Sequence, residues 1–186
     1  YIPTIKDDAA QSKLFNEIYV NLKSPFVLGD FKISISDLDY TYGYNRIIIQ
    51  EDNIIDAELS GNLVSLGAEW KTDLNRFNLQ AKAAGIITGD LNGFFFEGAA
   101  TFKLDSLSTL YARASTNDRA PDFNYQLFQS DYKSYNWQHN FSNEAISTLQ
   151  VGIRSPRWSD LDLSVNNIDN YLYFSTVGSE QATPMQ

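Results

Sequence analysis

The chain has 186 residues, 14 basic against 23 acidic side chains for a net charge of −9, one His and no Cys. That length suits one domain with room for a core, while a sequence pI near 4.5 argues against phosphate-backbone binding, which needs Lys/Arg clusters. The lack of Cys excludes disulfide scaffolds, thiolate zinc sites and thiol nucleophiles, and is mild support for export.

Hydrophobic residues make up 43% and aromatics 14%, yet mean hydropathy is −0.31. No apolar run approaches the roughly 18 to 20 residues of a membrane-spanning helix, and 46–50 and 85–88 are typical. That excludes a helical membrane protein but leaves a β-barrel open. The chain starts Tyr1-Ile2-Pro3 with no leader-like segment, so it is expected to be a processed chain or a portion of one.

In chain order, 7–15 could form one helical turn, although its apolar positions fit no 3.6-residue period. Ile18, Val20 and Leu22 then alternate with Glu17, Tyr19, Asn21 and Lys23, and Phe31, Ile33 and Ile35 with Lys32, Ser34 and Ser36. A long connection is expected over about 37–56. Val64, Leu66, Ala68 and Trp70 oppose Ser65, Gly67, Glu69 and Lys71, and after a turn at 72–76, Phe77, Leu79, Ala81 and Ala83 oppose Asn78, Gln80 and Lys82. Beyond 88–93, Phe94, Phe96, Gly98, Ala100 and Phe102 alternate with Phe95, Glu97, Ala99, Thr101 and Lys103. A turn at 105–107 leads to Leu110, Ala112 and Ala114 against Tyr111, Arg113 and Ser115. A second long connection covers about 116–134 and a tight turn 142–144. Leu149, Val151 and Ile153 then oppose Thr148, Gln150 and Arg154, and Leu161, Leu163 and Val165 oppose Asp162 and Ser164.

The period of 2 predicts about ten antiparallel strands joined as hairpins, with an apolar and a charged side. Four strands separate the two long connections, so an up-and-down meander puts both on one rim. The tight turns then share the other rim, as in an outer-membrane barrel. Tyr40, Tyr42, Tyr44, Trp70, Phe77, Phe94, Phe102, Tyr135, Trp137 and Trp158 fall near strand ends, where amphipathic rings suit the lipid–water interfaces. The same alternation also suits a β-sandwich with one buried face.

The run Asp131-Tyr132-Lys133-Ser134-Tyr135-Asn136-Trp137-Gln138-His139-Asn140-Phe141 resembles a strand pattern of the β-barrel porin family of Bacteroidota, as do 31–43 and the hairpins over 62–115. The resemblance implies an antiparallel up-and-down transmembrane β-barrel in the bacterial outer membrane that passes or binds small solutes, with no catalytic residues to carry over. Members of that family are longer. Residues 1–186 are therefore expected to form a single barrel region belonging to a larger barrel, although about ten strands could close a small one.

On this reading Glu69, Lys71, Gln80, Lys82, Glu97, Lys103, Arg113, Gln150 and Arg154 face a wet lumen, and Leu66, Leu79, Phe96, Ala112 and Val151 face lipid. Trp70, Phe77, Phe94, Phe102, Trp137 and Trp158 mark the interfaces. Other chemistry is scarce. His139 is the lone imidazole, and Asn140 and Ser142 beside it form no Gly-x-Ser-x-Gly elbow, so it reads as a His at a strand end. The acidic pairs at 7–8, 37–39, 51–52 and 160–162 match no calcium loop, and Asp90 and Asn92 are turn formers. Asn140-Phe141-Ser142 fits a glycosylation sequon, meaningful only in a eukaryotic secreted protein.

The expected function is passive passage of small hydrophilic solutes or ions, with acidic outer loops favouring cations and no metal, cofactor or enzymatic activity. Membrane lipid is the expected partner, nucleic acid is not, and envelope proteins or further copies are open. Two other classes stay in view. One is a non-pore structural or assembly subunit of an envelope complex; the other is a secreted β-sandwich binding glycans through Trp70, Trp137 or Trp158.

Overall fold

The computed structural model describes residues 7–23, 29–49, 54–132, 135–176 and 182–186. Tyr1-Ile2-Pro3, Glu51-Asp52 and Lys133-Ser134, to which the sequence reading appealed, lie outside them.

The elements run β1 (Ala10–Lys23), β2 (Asp30–Gly43), the short β3 (Ile48–Ile49) and β4 (Ile54–Ile55), then β5 (Glu58–Leu74), β6 (Phe77–Gly89), β7 (Phe94–Lys103) and β8 (Thr109–Arg119). A single helical turn, α1 (Phe123–Gln126), precedes the short β9 (Leu127–Phe128) and β10 (Trp137–Gln138). β11 (Glu144–Arg154), β12 (Leu161–Asp169), β13 (Tyr173–Ser175) and β14 (Thr183–Met185) complete the chain. The eight long strands form one antiparallel sheet in the order β1-β2-β5-β6-β7-β8-β11-β12, a pure up-and-down meander. The short strands make three two-stranded ladders.

Several expectations need correction. The sheet is open: β1 and β12 are its edges among the described residues, so no closed barrel is present. Residues 10–15 are strand and not a helical turn, because Leu14 and Phe15 continue the pairing of β1 with β2 out to Asp39 and Leu38. β2 continues to Gly43, so the first long connection is 44–57. The segment 142–144 ends a long loop on the long-loop rim; the tight turn of that hairpin is 155–160, where Ser155 N–H donates to Asp160 Oδ1 at 3.0 Å. A sandwich is excluded for the described residues, because no second large sheet packs on the first.

The pairing register assigns every strand residue to a face. One rung joins Thr72, Leu79, Ala100, Ala112, Val151 and Leu163, and the next joins Leu22, Phe31, Trp70, Ala81, Gly98, Ala114, Leu149 and Val165. Flanking rungs run Leu74-Phe77-Phe102-Leu110-Ile153-Leu161 and Val20-Ile33-Ala68-Ala83-Phe96-Thr116-Ser147-Asn167. None of these four rungs carries a charge. The polar limit of this face drops two rungs, from Asn16–Asp37 on β1–β2 to Ser147–Asn167 on β11–β12. Strands inclined to the plane of the apolar band would produce that drop.

The protein's core is not under the sheet. Its fully buried side chains include Ile55 and Leu127, which pack with Tyr44 where the two long loops meet. The apolar sheet face is exposed instead, at Ile18 (73%), Leu163 (64%) and Val165 (62%) for example. Folding normally hides such surface, and here nothing among the described residues covers it.

Candidate functional site

The opposite sheet face holds the charges. One rung reads Asn21-Lys32-Glu69-Lys82-Glu97-Ser115-Thr148-Asn166, in which basic and acidic groups alternate across four strands. Cross-strand neighbours of opposite sign attract, which pins the register. Lys32 Nζ lies 3.4 Å from Glu17 and 3.7 Å from Glu69, Lys71 Nζ 4.0 Å from Glu69, and Arg113 3.8 Å from Glu97. These pairs are partly exposed and contribute little energy, but they fix long side chains along this face. Toward the turn rim, Arg154 lies over the Tyr111 ring at 4.9 Å.

The strand register places Glu69, Lys71, Gln80, Lys82, Glu97, Lys103, Arg113, Gln150 and Arg154 all on this one face. Leu66, Leu79, Phe96, Ala112 and Val151 are all on the other.

The aromatic residues divide. Phe77 and Phe102 pair across strands at 4.6 Å on the turn-side rung, Phe94 sits at the opposite end of β7, and Trp158 stands 86% exposed in the β11–β12 turn. Trp70 lies further in, 6.4 Å from Phe31. Trp137 is no rim residue: it is buried in the loops, stacked on Phe128 at 4.7 Å, with its indole N–H donating to Asn124 O. Its strand partner is Phe128 of a loop ladder and not the main sheet, which is why strand-end logic misplaced it.

The second long loop turns onto the charged face. Phe123 stacks on Tyr40 at 5.0 Å and on Tyr42 at 5.5 Å, and Lys13 Nζ approaches its ring to 5.4 Å. The two long loops also lock to each other. Gln129 Nε2 donates to Arg46 O and Asp56 O, and Arg46 pairs with Asp131 at 2.7 Å. Between loop and sheet lies a cleft of about 640 Å³ lined by Lys13, Tyr40, Ile86, Phe95, Arg119 and Phe123 among others. Six adjacent strands contribute to it.

Residue patterning alone does not reveal this cleft. Tyr40, Phe95 and Arg119 do fall at the charged-face parity of their strands, which is a usable signal. Phe123 sits in an aperiodic segment and had none. His139 packs on Phe141 at 5.1 Å, and its backbone N–H donates to Gln126 O; no Ser or carboxylate is bonded to its ring among the described residues. Among the same residues no cluster of three His, Asp or Glu side chains could hold a metal.

Charge is unevenly distributed. The strand positions of the loop-covered face carry nine basic and seven acidic residues, a slight positive excess. The other 16 acidic and five basic residues lie elsewhere, and Asp37, Asp39, Asp56, Glu58, Asp90, Asp118, Asp122 and Asp131 crowd the long-loop end.

An antiparallel meander with an exposed apolar face, a charged opposite face and every long loop on one rim has the build of an outer-membrane β-barrel protein. A family model described as "Putative porin" matches residues 2–186, and the chain belongs to that family. No curated protein and no solved structure matches it. Membership points to a porin-like role and an outer-membrane location.

Proposed function

We propose that the chain is the wall of an outer-membrane pore through which small hydrophilic solutes or ions pass passively, without cofactor or catalysis. The carrying observation is the uncharged, exposed apolar face, which lipid would cover. On β5 it runs from Leu74 to Val64, ten residue steps. That is about 34 Å of strand, or roughly 26 Å at the tilt of such barrels, close to the height of their apolar band. The free edges of β1 and β12 would be closed by further strands of a larger barrel, since open edges are not stable in lipid.

Solutes would move along the charged face, past the loop held by Phe123. The acidic long-loop end would attract cations, and the slightly positive wall would moderate that preference. Planar-bilayer recording of the reconstituted full-length protein tests this reading. Discrete conductance with cation preference that fades at high salt is expected; no conductance, or clear anion preference, overturns it.

A second reading has its own support. The loop packed against Tyr40 and Tyr42 suits a plugged barrel serving as a structural or assembly subunit of an envelope complex. A silent but heat-modifiable protein in the same recording would favour it.

A further inference from the structure

The cleft between the second long loop and the charged face is lined by four charged side chains, two of each sign: Lys13, Arg119, Asp118 and Asp122. Two of them are already engaged. Arg119 pairs with Glu144 at 3.3 Å, and Asp118 accepts from the Asn143 side-chain amide. The other two have no ion partner among the described residues. Lys13 Nζ lies 5.4 Å from the centroid of the Phe123 ring, a contact that leaves its N–H donors to a ligand. Asp122 precedes α1, yet its exposed carboxylate makes no capping hydrogen bond there. One ammonium and one carboxylate in this cleft are thus unpaired.

The rest of the lining is of two kinds. Leu38, Ile86 and Phe95 supply an apolar floor from β2, β6 and β7, at the charged-face parity of those strands. Gln11, Asn117 and Asn124 supply side-chain amides with no hydrogen bond of their own among the described residues, each able to donate and to accept. At about 640 Å³ the cleft is in the size range of sites that hold small molecules.

Unpaired charges of opposite sign, free amides and an apolar floor are the complement of a short peptide, which carries an ammonium, a carboxylate, amide N–H and C=O groups and an apolar side chain. A simple anion or cation would satisfy one of the two charges and leave the floor bare. A neutral sugar would pair with neither charge, and the ring faces of Tyr40, Tyr42 and Phe123 that could stack on it are used on one another. We infer that this cleft binds a zwitterionic di- or tripeptide, its carboxylate at Lys13, its ammonium at Asp122 and an apolar side chain on Leu38, Ile86 and Phe95. As a step on a solute path the site rests on the pore reading; peptide binding itself is measurable without conductance.

Isothermal titration of the full-length protein in detergent with leucyl-leucine, beside planar-bilayer recording of the same preparation, tests it. Leucyl-leucine is expected to bind once per chain and to interrupt the open-channel current. N-acetyl-leucyl-leucine amide keeps the side chains and loses both terminal charges, and glycyl-glycine does the reverse; each is expected to bind about tenfold more weakly. Lys13→Gln with Asp122→Asn is expected to lower leucyl-leucine affinity about tenfold and to leave the capped peptide unchanged. Unaltered heat-modifiable gel mobility verifies that this variant folds. Capped peptide or maltose binding as well as leucyl-leucine overturns the zwitterionic-peptide assignment, and undiminished leucyl-leucine binding in the folded variant overturns the site. A conducting channel that binds no leucyl-leucine overturns the site and leaves the pore. Binding by a silent protein upholds the site and overturns its place on a solute path.

Discussion

Gly152 stands across from Tyr111 on the charged face, and a Cβ there would come within 2.6 Å of both Tyr111 Cζ and Leu161 O. The glycine therefore seats the phenol ring over the β8–β11 pair. Gly61 does the same for Tyr40 near the other rim, with Tyr40 Cζ at 2.8 Å. Because the Leu161 carbonyl is backbone, rotating Tyr111 away would not relieve the clash. Gly152→Ala is expected to cost about 1–3 kcal/mol, the range of overpacking, read as a lower unfolding midpoint in detergent or lipid. Asp105 gives a second prediction. Hydrogen bonds from Leu107 N–H and then Ser108 N–H hold its carboxyl below the usual carboxylate range. A carboxylate lowered in the folded state contributes stability above its unfolded pKa, and that contribution is lost as pH falls through the folded value. The β7–β8 turn should therefore loosen in acid, seen as faster amide exchange at Leu107 and Ser108. Asp105→Ala, which removes the accepting oxygen, should show fast exchange at every pH.

Among the elements, β8 tests sidedness most directly, because Ala112 and Arg113 are adjacent and point to opposite faces. Ala112→Lys is expected to cost about 2–4 kcal/mol in lipid, the toll for a cation at mid-membrane depth on the outer face of a barrel. Arg113→Ala should cost under about 1 kcal/mol, since its pair with Glu97 is partly exposed. Equal costs would contradict the assignment of faces. The loop carrying α1 is held to the sheet through Phe123, and Phe123→Ala removes two stacked contacts worth about 1–3 kcal/mol together. The loop should then become protease-sensitive, and single-channel conductance should rise if the lumen reading holds. Period 2 made strand parity legible here: the pairing puts Glu69 and Lys71 on one face of β5 and Leu66 on the other. It could not reach Trp137 or Phe123. Both sit in aperiodic loops whose positions are set by contacts with residues distant in sequence, Trp137 with Phe128 and Phe123 with Tyr40.

At the scale of the molecule, the acidic excess is concentrated at one end of the strands. Eight acidic residues crowd the long-loop end, while the charged face is nearly balanced. Cation preference is therefore expected to come from the loop end and to fall steeply with ionic strength, because exposed charges are screened within about 8 Å at physiological salt. Reversal potentials measured under a salt gradient, at low and high mean concentration, check it. A preference independent of salt would place the selecting charges deep in the wall instead.

Alternation by itself determined that this chain is all-β, which residues share a face, and which rim carries the long loops. Each of these follows from the two-residue period and strand parity, which are local. Tertiary structure decided what parity cannot: that β2 runs on to Gly43, that the sheet has two free edges, and that the long loops bury the core. It also decided that one loop turns back over the charged face. The composition that began as an acidic chain rich in aromatics thus resolves into three groups of rings. Phe77, Phe102 and Trp158 lie at the turn rim, Trp137 and Phe128 in the loop core, and Tyr40, Tyr42 and Phe123 across the cleft. Their separation depends on long-range packing, where local periodicity carries no information.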